Sequence, residues 1–297
     1  MRTADTVRLV ILAAIWGGSF IFMRVLAPVL GPVLTADLRV LIAGIALLIY
    51  FRAIKLDLEW RQYWKQYILI GALNSALPFF LFSFAALHIP ASLSVILNST
   101  APFFGALFAA MLLGERFTFK KLAGLVIGAI GVMMVVKLGS VTPGPMFALA
   151  VLACIGATVC YGFVATYIKR FGTSIKPMAV AGASQLTAGL LLLPAVPFSP
   201  LRGEITPTIV AGVIVFALLC SAVAYLLYFR LVVDAGPTKA LTVTFLMPAF
   251  GMLWGAMFLN ELITPTMVAG TALILLGTGL VLNVLKWRAP AVESVRN

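Results

Sequence analysis

Long apolar segments recur along the whole chain, and they restrict its fold more than any other feature. Of the 297 residues, 63% are hydrophobic and 10% are charged, whereas soluble domains carry roughly 45–50% apolar and about 25% charged residues. An apolar helix of about 20 residues crosses the hydrocarbon core of a bilayer. The pattern therefore predicts an all-α integral membrane protein with ten transmembrane helices, over residues 7–27, 36–51, 67–87, 91–113, 119–136, 146–168, 178–196, 207–231, 240–259 and 266–285.

Basic residues cluster in alternate connections between these segments. With the N-terminus in the cytoplasm, 17 of the 21 Lys and Arg residues fall in cytoplasmic segments. This is the positive-inside bias of membrane proteins, and it predicts that both termini are cytoplasmic. The net charge of +12 therefore indicates topology, so the expected partner is the lipid bilayer and not a nucleic acid.

An internal repeat relates the two halves of the chain. Residues 101–135 match residues 247–281 at 13 of 35 positions without a gap. Hydrophobic composition alone would match leucine with leucine, but it would not match rarer residues in register. The matched positions include Pro102 with Pro248, Gly105 with Gly251, Glu115 with Glu261 and Thr118 with Thr264.

This shift of 146 residues predicts two five-helix units, residues 1–140 and residues 141–297. Because five is odd, the second unit enters the membrane from the opposite side, which makes the repeats inverted. Inverted repeats are typical of transporters, whose substrate site lies near the middle of the membrane where the halves meet. A duplicated scaffold without transport activity is the alternative.

The chain resembles the EamA-type proteins of the drug/metabolite transporter superfamily. The resemblance covers nearly the whole chain and rests on the segment Trp16–Phe20, on Arg39 early in the second helix, and on the paired blocks Pro102–Glu115 and Pro248–Glu261. It implies ten helices in two domains and export of amino acids, other metabolites or drugs across the bacterial inner membrane. One departure is that the shift of 146 sets Gln185 against Arg39, so the halves are not interchangeable.

Few charged residues fall within the predicted membrane segments. Among nine acidic residues, Asp37 alone is predicted at membrane depth. This scarcity favours a facilitator or an exchanger, or coupling through Asp37 or His88 alone. Asp37 and Arg39 point about 200° apart on a helix and are not expected to pair. Arg39 either snorkels to the lipid headgroups, forms a structural ion pair or contacts substrate.

Two glutamates and two prolines are candidate gating residues. Glu115 and Glu261 lie at the ends of the fourth and ninth helices. They either anchor the chain at the membrane interface or cap the following helix, or they latch closed states by pairing with basic residues across a gate. Pro102 and Pro248 are predicted to interrupt their helices and to allow bends.

Polar and aromatic side chains within otherwise apolar helices are the candidate substrate contacts. Apolar walls with a few amide or hydroxyl groups are typical of small-molecule sites, and an amide in hydrocarbon needs a partner. For each residue, hydrogen bonding between helices is the alternative. The candidates are Trp16, Ser19, Phe20, Asn74, Phe79, Asn98, Tyr161, Gln185, Ser221, Tyr225 and Thr244.

The sequence carries no catalytic constellation, metal motif or cofactor motif, so no enzyme activity is expected. The predicted function is alternating-access export of small neutral or aromatic amino acids or related metabolites. A multidrug exporter of cationic compounds and a membrane protein without transport activity are the alternatives. Small-residue stripes such as Gly124–Gly128 indicate close packing within a monomer, or a homodimer face.

Overall fold

The computed structural model describes residues 2–137, 144–172 and 174–284, and within them every long element is an α-helix. Eight helices are long and apolar enough to cross a membrane, and two apolar helices are shorter. The predicted all-α fold with ten helices is confirmed. In chain order, α1 to α10 are Thr3–Leu30, Pro32–Ala53, Trp60–Ala85, Ala91–Leu113, Phe119–Lys137, Pro145–Phe171, Pro177–Phe198, Pro207–Ala235, Val243–Leu259 and Pro265–Val281.

Short connections join consecutive helices, so alternate connections lie on the same side of the bundle. We call the side that carries the first residues of α1 the N-terminal face, and the other side the opposite face. Three ion pairs join connections and helix ends across the N-terminal face: Arg8–Asp234 at 2.6 Å, Lys176–Glu59 at 2.7 Å and Lys169–Glu115 at 2.7 Å. On the opposite face the backbone N–H of Arg202 donates to the carbonyl of Val29 at 2.9 Å.

Glycines let α5 and α10 pack against each other in antiparallel fashion. A Cβ atom on Gly124 would lie 2.7 Å from the carbonyl oxygen of Gly277, and one on Gly131 would lie 2.6 Å from that of Gly270. The shift of 146 converts Gly124 into Gly270 and Gly131 into Gly277, so these two contacts exchange under the repeat. The predicted unit boundary at residue 140 lies outside the described residues.

A similar pair of close contacts occurs where α1 meets α9 and where α6 meets α4, although Gly162 lies one residue before the position that the shift of 146 gives for Gly17. A Cβ on Gly17 would lie 3.0 Å from the backbone nitrogen of Gly251, and one on Gly162 would lie 2.5 Å from that of Gly105. These small residues therefore bring helices together within one chain, in agreement with the close-packing interpretation of the glycine stripes.

Each half contains one widened, π-helical turn. The turn spans Ala72–Ala76 in α3 and Leu218–Val223 in α8, and the shift of 146 places the start of the first on the start of the second. The hydrophobic pattern predicts unbroken α-helices here and misses both turns. Such turns are frequent at functional sites because they redirect side chains and release backbone groups.

The two prolines behave differently from each other. The α4 helix is interrupted by a turn at Ser99 and Thr100, just before Pro102. The predicted interruption at Pro248 is wrong, because α9 continues as one helix from Val243 to Leu259. Proline removes a single backbone hydrogen bond, and packing against neighbouring helices maintains the helix around that gap.

We expect Gly124→Val to destabilise the protein, because the new side chain would overlap the backbone of α10. Overpacking of this kind costs about 1–3 kcal/mol, and the thermal unfolding midpoint in detergent should fall. Ala129→Val is the matched control, since Ala129 lies on the exposed side of α5. Equal midpoints for the two variants would contradict the backbone contact between α5 and α10.

Candidate functional site

A cavity of about 790 Å³ lies within the bundle and opens on the N-terminal face. Its wall extends from Arg39 to Glu115, Lys121, Lys169 and Asn283 at that face. Among the described residues, none of the opposite-face connections contributes to the lining. The remaining polar and aromatic lining residues are Trp16, Ser19, Phe20, Asn74, Phe79, Phe82, Asn98, Tyr161, Thr166, Tyr225, Tyr228 and Thr244.

Aromatic rings from four helices form the inner wall. The ring of Trp16 meets that of Tyr225 edge-on at 6.0 Å and that of Tyr228 at 5.4 Å between centroids. Across the cavity, Phe82 stacks on Tyr161 at 6.3 Å. Rings in these arrangements give a rigid apolar surface, which suits the flat or apolar part of a small molecule.

The π-helical turns set the direction of several polar groups in the cavity. Asn74 lies in the turn of α3, and Tyr225 follows the turn of α8. The hydroxyl of Tyr225 faces the side chains of Asn74, Ser75 and Gln185. Within the described ranges, Ser75 Oγ and both amide atoms of Gln185 make no hydrogen bond of ordinary geometry. Polar side chains of α3, α7 and α8 are therefore clustered beside the cavity.

Three other predicted contacts have different environments. The amide oxygen of Asn98 is buried and has no hydrogen-bond partner among the residues that the structure describes. Ser19 instead donates to the carbonyl of Trp16 at 2.7 Å, and Thr244 donates to that of Leu241 at 2.8 Å. Each of these hydroxyls bonds to a carbonyl three residues earlier in the chain, so Asn98 is the one of the three that needs a donor from elsewhere.

Nine of the eleven predicted contacts line the cavity, and Gln185 and Ser221 do not. Both are fully buried behind the wall, and Ser221 accepts a hydrogen bond from Arg39. Two aromatic residues of the wall, Phe82 and Tyr228, were missed. Each follows a predicted contact by three residues, one helical turn, and the shift of 146 superposes them, so helical spacing would have found both.

Arg39 does not snorkel to the headgroups. Its side chain is 3% exposed and lines the cavity, because α2 is surrounded by α7, α8 and α3 and has no lipid route at this position. Nε donates to Ser221 Oγ at 2.9 Å, and the guanidinium lies 3.8 Å above the ring of Phe79. The predicted structural ion pair is likewise not formed with any acidic residue in the described ranges.

Asp37 is also buried, at 2% exposure, but it lies outside the cavity wall. One of its carboxylate oxygens has no hydrogen-bond partner in the described part of the chain. His88 lies in the turn after α3, where its ring is 5.1 Å from that of Phe84. Neither candidate coupling group therefore lines the cavity.

Glu115 lies at the mouth of the cavity and connects three helices. Its carboxylate pairs with Lys169 at the end of α6 at 2.7 Å and with Lys121 on α5 at 3.0 Å. Hydrogen bonds from Lys169 and then Lys121 hold the pKa of Glu115 below its usual range. The carboxylate is therefore ionised at neutral pH and joins the rim of the open face.

Glu261 holds the opposite face in a different way. Its carboxylate accepts the backbone N–H groups of Ala91 at 2.7 Å and Ser92 at 2.9 Å, at the start of α4. These partners differ from those that capping of the following helix or a latch with basic residues would give it. It pairs with no basic residue in the described structure, and the following helix is capped by Thr264, which accepts from the N–H of Met267 at 3.2 Å. The free N–H groups of a helix start attract a carboxylate.

Comparisons with known proteins agree with this architecture. The model of the EamA-like transporter family matches residues 7–137 and again residues 148–283. The uncharacterized transporter YvbV of Bacillus subtilis is 26% identical over 276 residues, which cover 92% of this chain and 90% of the relative. A probable amino-acid metabolite efflux pump of Escherichia coli is 24% identical, with coverage of 97% and 98%.

A solved structure, described only as a crystal structure of a protein, has a TM-score of 0.67 with 20% sequence identity. It covers 96% of this chain and 99% of its own, and at that identity it bears on the fold alone. The family matches, in contrast, cover both halves of the sequence. The chain belongs to the EamA-like transporter family: it is a multi-pass membrane transporter of small molecules, and not an enzyme.

Proposed function

We propose that the protein exports small neutral or aromatic amino acids, or related metabolites, from the bacterial cytoplasm by alternating access. In this proposal it lies in the inner membrane with both termini in the cytoplasm. The observation that carries it is the cavity, which has aromatic walls and a few amide and hydroxyl groups, and whose described lining reaches the N-terminal face and not the opposite face.

The chemistry of the cavity supports a small organic solute. Apolar surface comes from the rings of Trp16, Phe79 and Tyr161. Amide groups come from Asn74 and Asn98, and a few polar groups of this kind hold a ligand in one orientation. The volume of the cavity is about 790 Å³, which is within the usual range for small-molecule sites, roughly 300–1,000 Å³. The Escherichia coli relative is named a probable amino-acid metabolite efflux pump, which is in keeping with this class.

The arrangement of the two faces supports alternating access. The N-terminal face is open at Glu115, while Glu261 joins α9 and α10 to the start of α4 at the opposite face. Exchange of the two halves under the inverted repeat would close the first face and open the second. With the basic N-terminal face in the cytoplasm, the described state receives substrate from inside the cell.

Reconstituted protein should transport amino acids. We expect proteoliposomes to exchange at least one labelled neutral or aromatic amino acid faster than empty liposomes, and to show no comparable flux of a cationic dye. Protein with Tyr161→Ala, which removes a ring from the cavity wall, should be slower by about tenfold, since an aromatic contact and its buried area contribute about 1–3 kcal/mol. Dye flux without amino-acid flux would identify the multidrug alternative, and the absence of both would refute the proposal.

The orientation is tested by thiol labelling from each side of the membrane. In a background without Cys154, Cys160 and Cys220, we expect Ala165→Cys to react with an impermeant maleimide in inverted vesicles. Ala165 is exposed and lines the cavity. Ala85→Cys is the control and should stay unreactive, because Ala85 is completely buried. Faster reaction of Ala165→Cys in right-side-out vesicles would place the open face outside.

The role of Glu261 is tested by hydrogen exchange at the start of α4. In Glu261→Ala the N–H groups of Ala91 and Ser92 lose their acceptor, and hydrogen bonds to charged groups contribute about 1.5–3 kcal/mol. Exchange in the peptide that contains them should accelerate by about tenfold.

The control is Glu204→Ala, which removes an exposed acidic residue from the same face. Exchange at Ala91 and Ser92 should be unchanged in that variant. If Glu261→Ala exchanged no faster than Glu204→Ala, Glu261 would have no part in closing the opposite face.

A further inference from the structure

Arg39 places a permanent positive charge in the wall of the cavity. Its side chain is 3% exposed, and a guanidinium does not lose its proton in proteins. A charge at membrane depth is unfavourable unless a partner neutralises it, and such residues usually mark the path of a substrate or an ion. Whether an acidic residue of the protein pairs with Arg39 therefore bears on whether Arg39 binds the cargo.

The protein supplies Arg39 with neutral partners. Nε donates to Ser221 Oγ at 2.9 Å, and Nη2 lies 3.5 Å from the carbonyl oxygen of Cys220. The guanidinium carbon lies 3.8 Å from the ring centre of Phe79 and 4.6 Å from that of Phe216. The two rings and the π-helical turn of α8 hold the planar group in a fixed orientation, but they provide no negative charge.

No acidic side chain in the described part of the chain forms an ion pair with Arg39. Asp37 is the nearest acid in sequence, but residues two apart on a helix point about 200° away from each other. Arg39 Nη1 and Asp37 Oδ1 are each buried, and neither has a hydrogen-bond partner in residues 2–137, 144–172 and 174–284. Arg39 therefore keeps an unused donor and an uncompensated charge at the cavity.

We propose that Arg39 binds the carboxylate of the transported molecule and so restricts the cargo of this protein to carboxylates with an aromatic or apolar side chain. This inference rests on the proposed function, since it takes the cavity as the path of the cargo. The guanidinium fork matches a carboxylate with two parallel hydrogen bonds. The rings of Trp16, Phe82 and Tyr161 then remain for the side chain of the cargo.

The remaining charges favour a carboxylate over a phosphate. A single guanidinium balances one negative charge, whereas a phosphate dianion needs a second cation. The lysines that line the cavity, Lys121 and Lys169, lie at the mouth and are paired with Glu115 at 3.0 Å and 2.7 Å. The charge of Glu115 therefore partly offsets their charges at the mouth of the cavity. In the inner part of the described wall, the positive charge comes from Arg39.

A structural tie between α2 and α8 is the competing interpretation, because Arg39 already bonds to Ser221. The two interpretations differ in what they predict for ligands. A tie affects stability and leaves the order of ligand affinities unchanged. A carboxylate site makes that order depend on Arg39.

The test is calorimetric titration of the purified full-length protein in detergent with four matched probes: L-phenylalanine, 3-phenylpropanoate, L-phenylalaninamide and phenethylamine. We expect the two carboxylates to bind at least about tenfold more tightly than the amide and the amine, since hydrogen bonds between charged groups are worth that factor or more. Arg39→Gln should abolish this ratio. Arg24→Gln is the control, because Arg24 donates to the carbonyl of Ala86 and lies outside the cavity wall, and it should preserve the ratio.

Arg39→Lys guards against a folding defect in Arg39→Gln, because it keeps the charge and loses the planar fork. We expect it to elute as a monodisperse peak in gel filtration and to show a reduced ratio. Equal affinities for all four probes, binding of none of them, or a ratio unchanged in both Arg39 variants would overturn the proposal. Carboxylate preference without flux in proteoliposomes would refute the export function and leave the Arg39 site intact, whereas flux without preference would refute the site alone.

Discussion

Hydrogen bonding of the backbone within lipid is the constraint on which this structure depends. No water is present in the hydrocarbon core, so each N–H and C=O group must find a partner inside the protein, and long helices satisfy this requirement. Two departures from α-helical geometry, the π-helical turns Ala72–Ala76 and Leu218–Val223, lie where α3 and α8 pass the cavity. There the widened backbone turns the carbonyl of Cys220 towards Arg39, so a local departure from the α-helix contributes to the site.

The repeat supplies matching positions to both halves, but the side chains at those positions have diverged. Arg39 corresponds to Gln185, and a charged group in the cavity wall is thereby set against a neutral amide behind it. Glu115 and Glu261 are identical residues with different partners, lysine side chains in one case and a helix start in the other. The difference follows from the faces, since one is open and the other is closed.

Much of the architecture and of the cavity wall follows from the sequence alone. The hydrophobic pattern predicts the ten helices, and polar or aromatic residues in apolar segments predict Asn98, Tyr161 and Tyr225 in the wall. The burial of Arg39 could not be predicted from the sequence. Snorkelling depends on which helices surround α2, and the hydropathy of the sequence does not contain that information. The partners of Glu261 were missed for a similar reason, since Ala91 and Ser92 are far away in sequence and contribute backbone groups that leave no trace in residue identity.

The glycine contacts between α5 and α10 have a consequence for how such a chain can vary. When two large side chains collide in a core, a smaller residue on the partner can restore the fit. Gly124 faces the main-chain oxygen of Gly277, and Gly131 faces that of Gly270. The facing residues of α10 are themselves glycines, so they have no side chain that a smaller residue could replace. A larger residue is therefore unfavourable at each of these glycines, and a second substitution at the facing glycine cannot restore the fit.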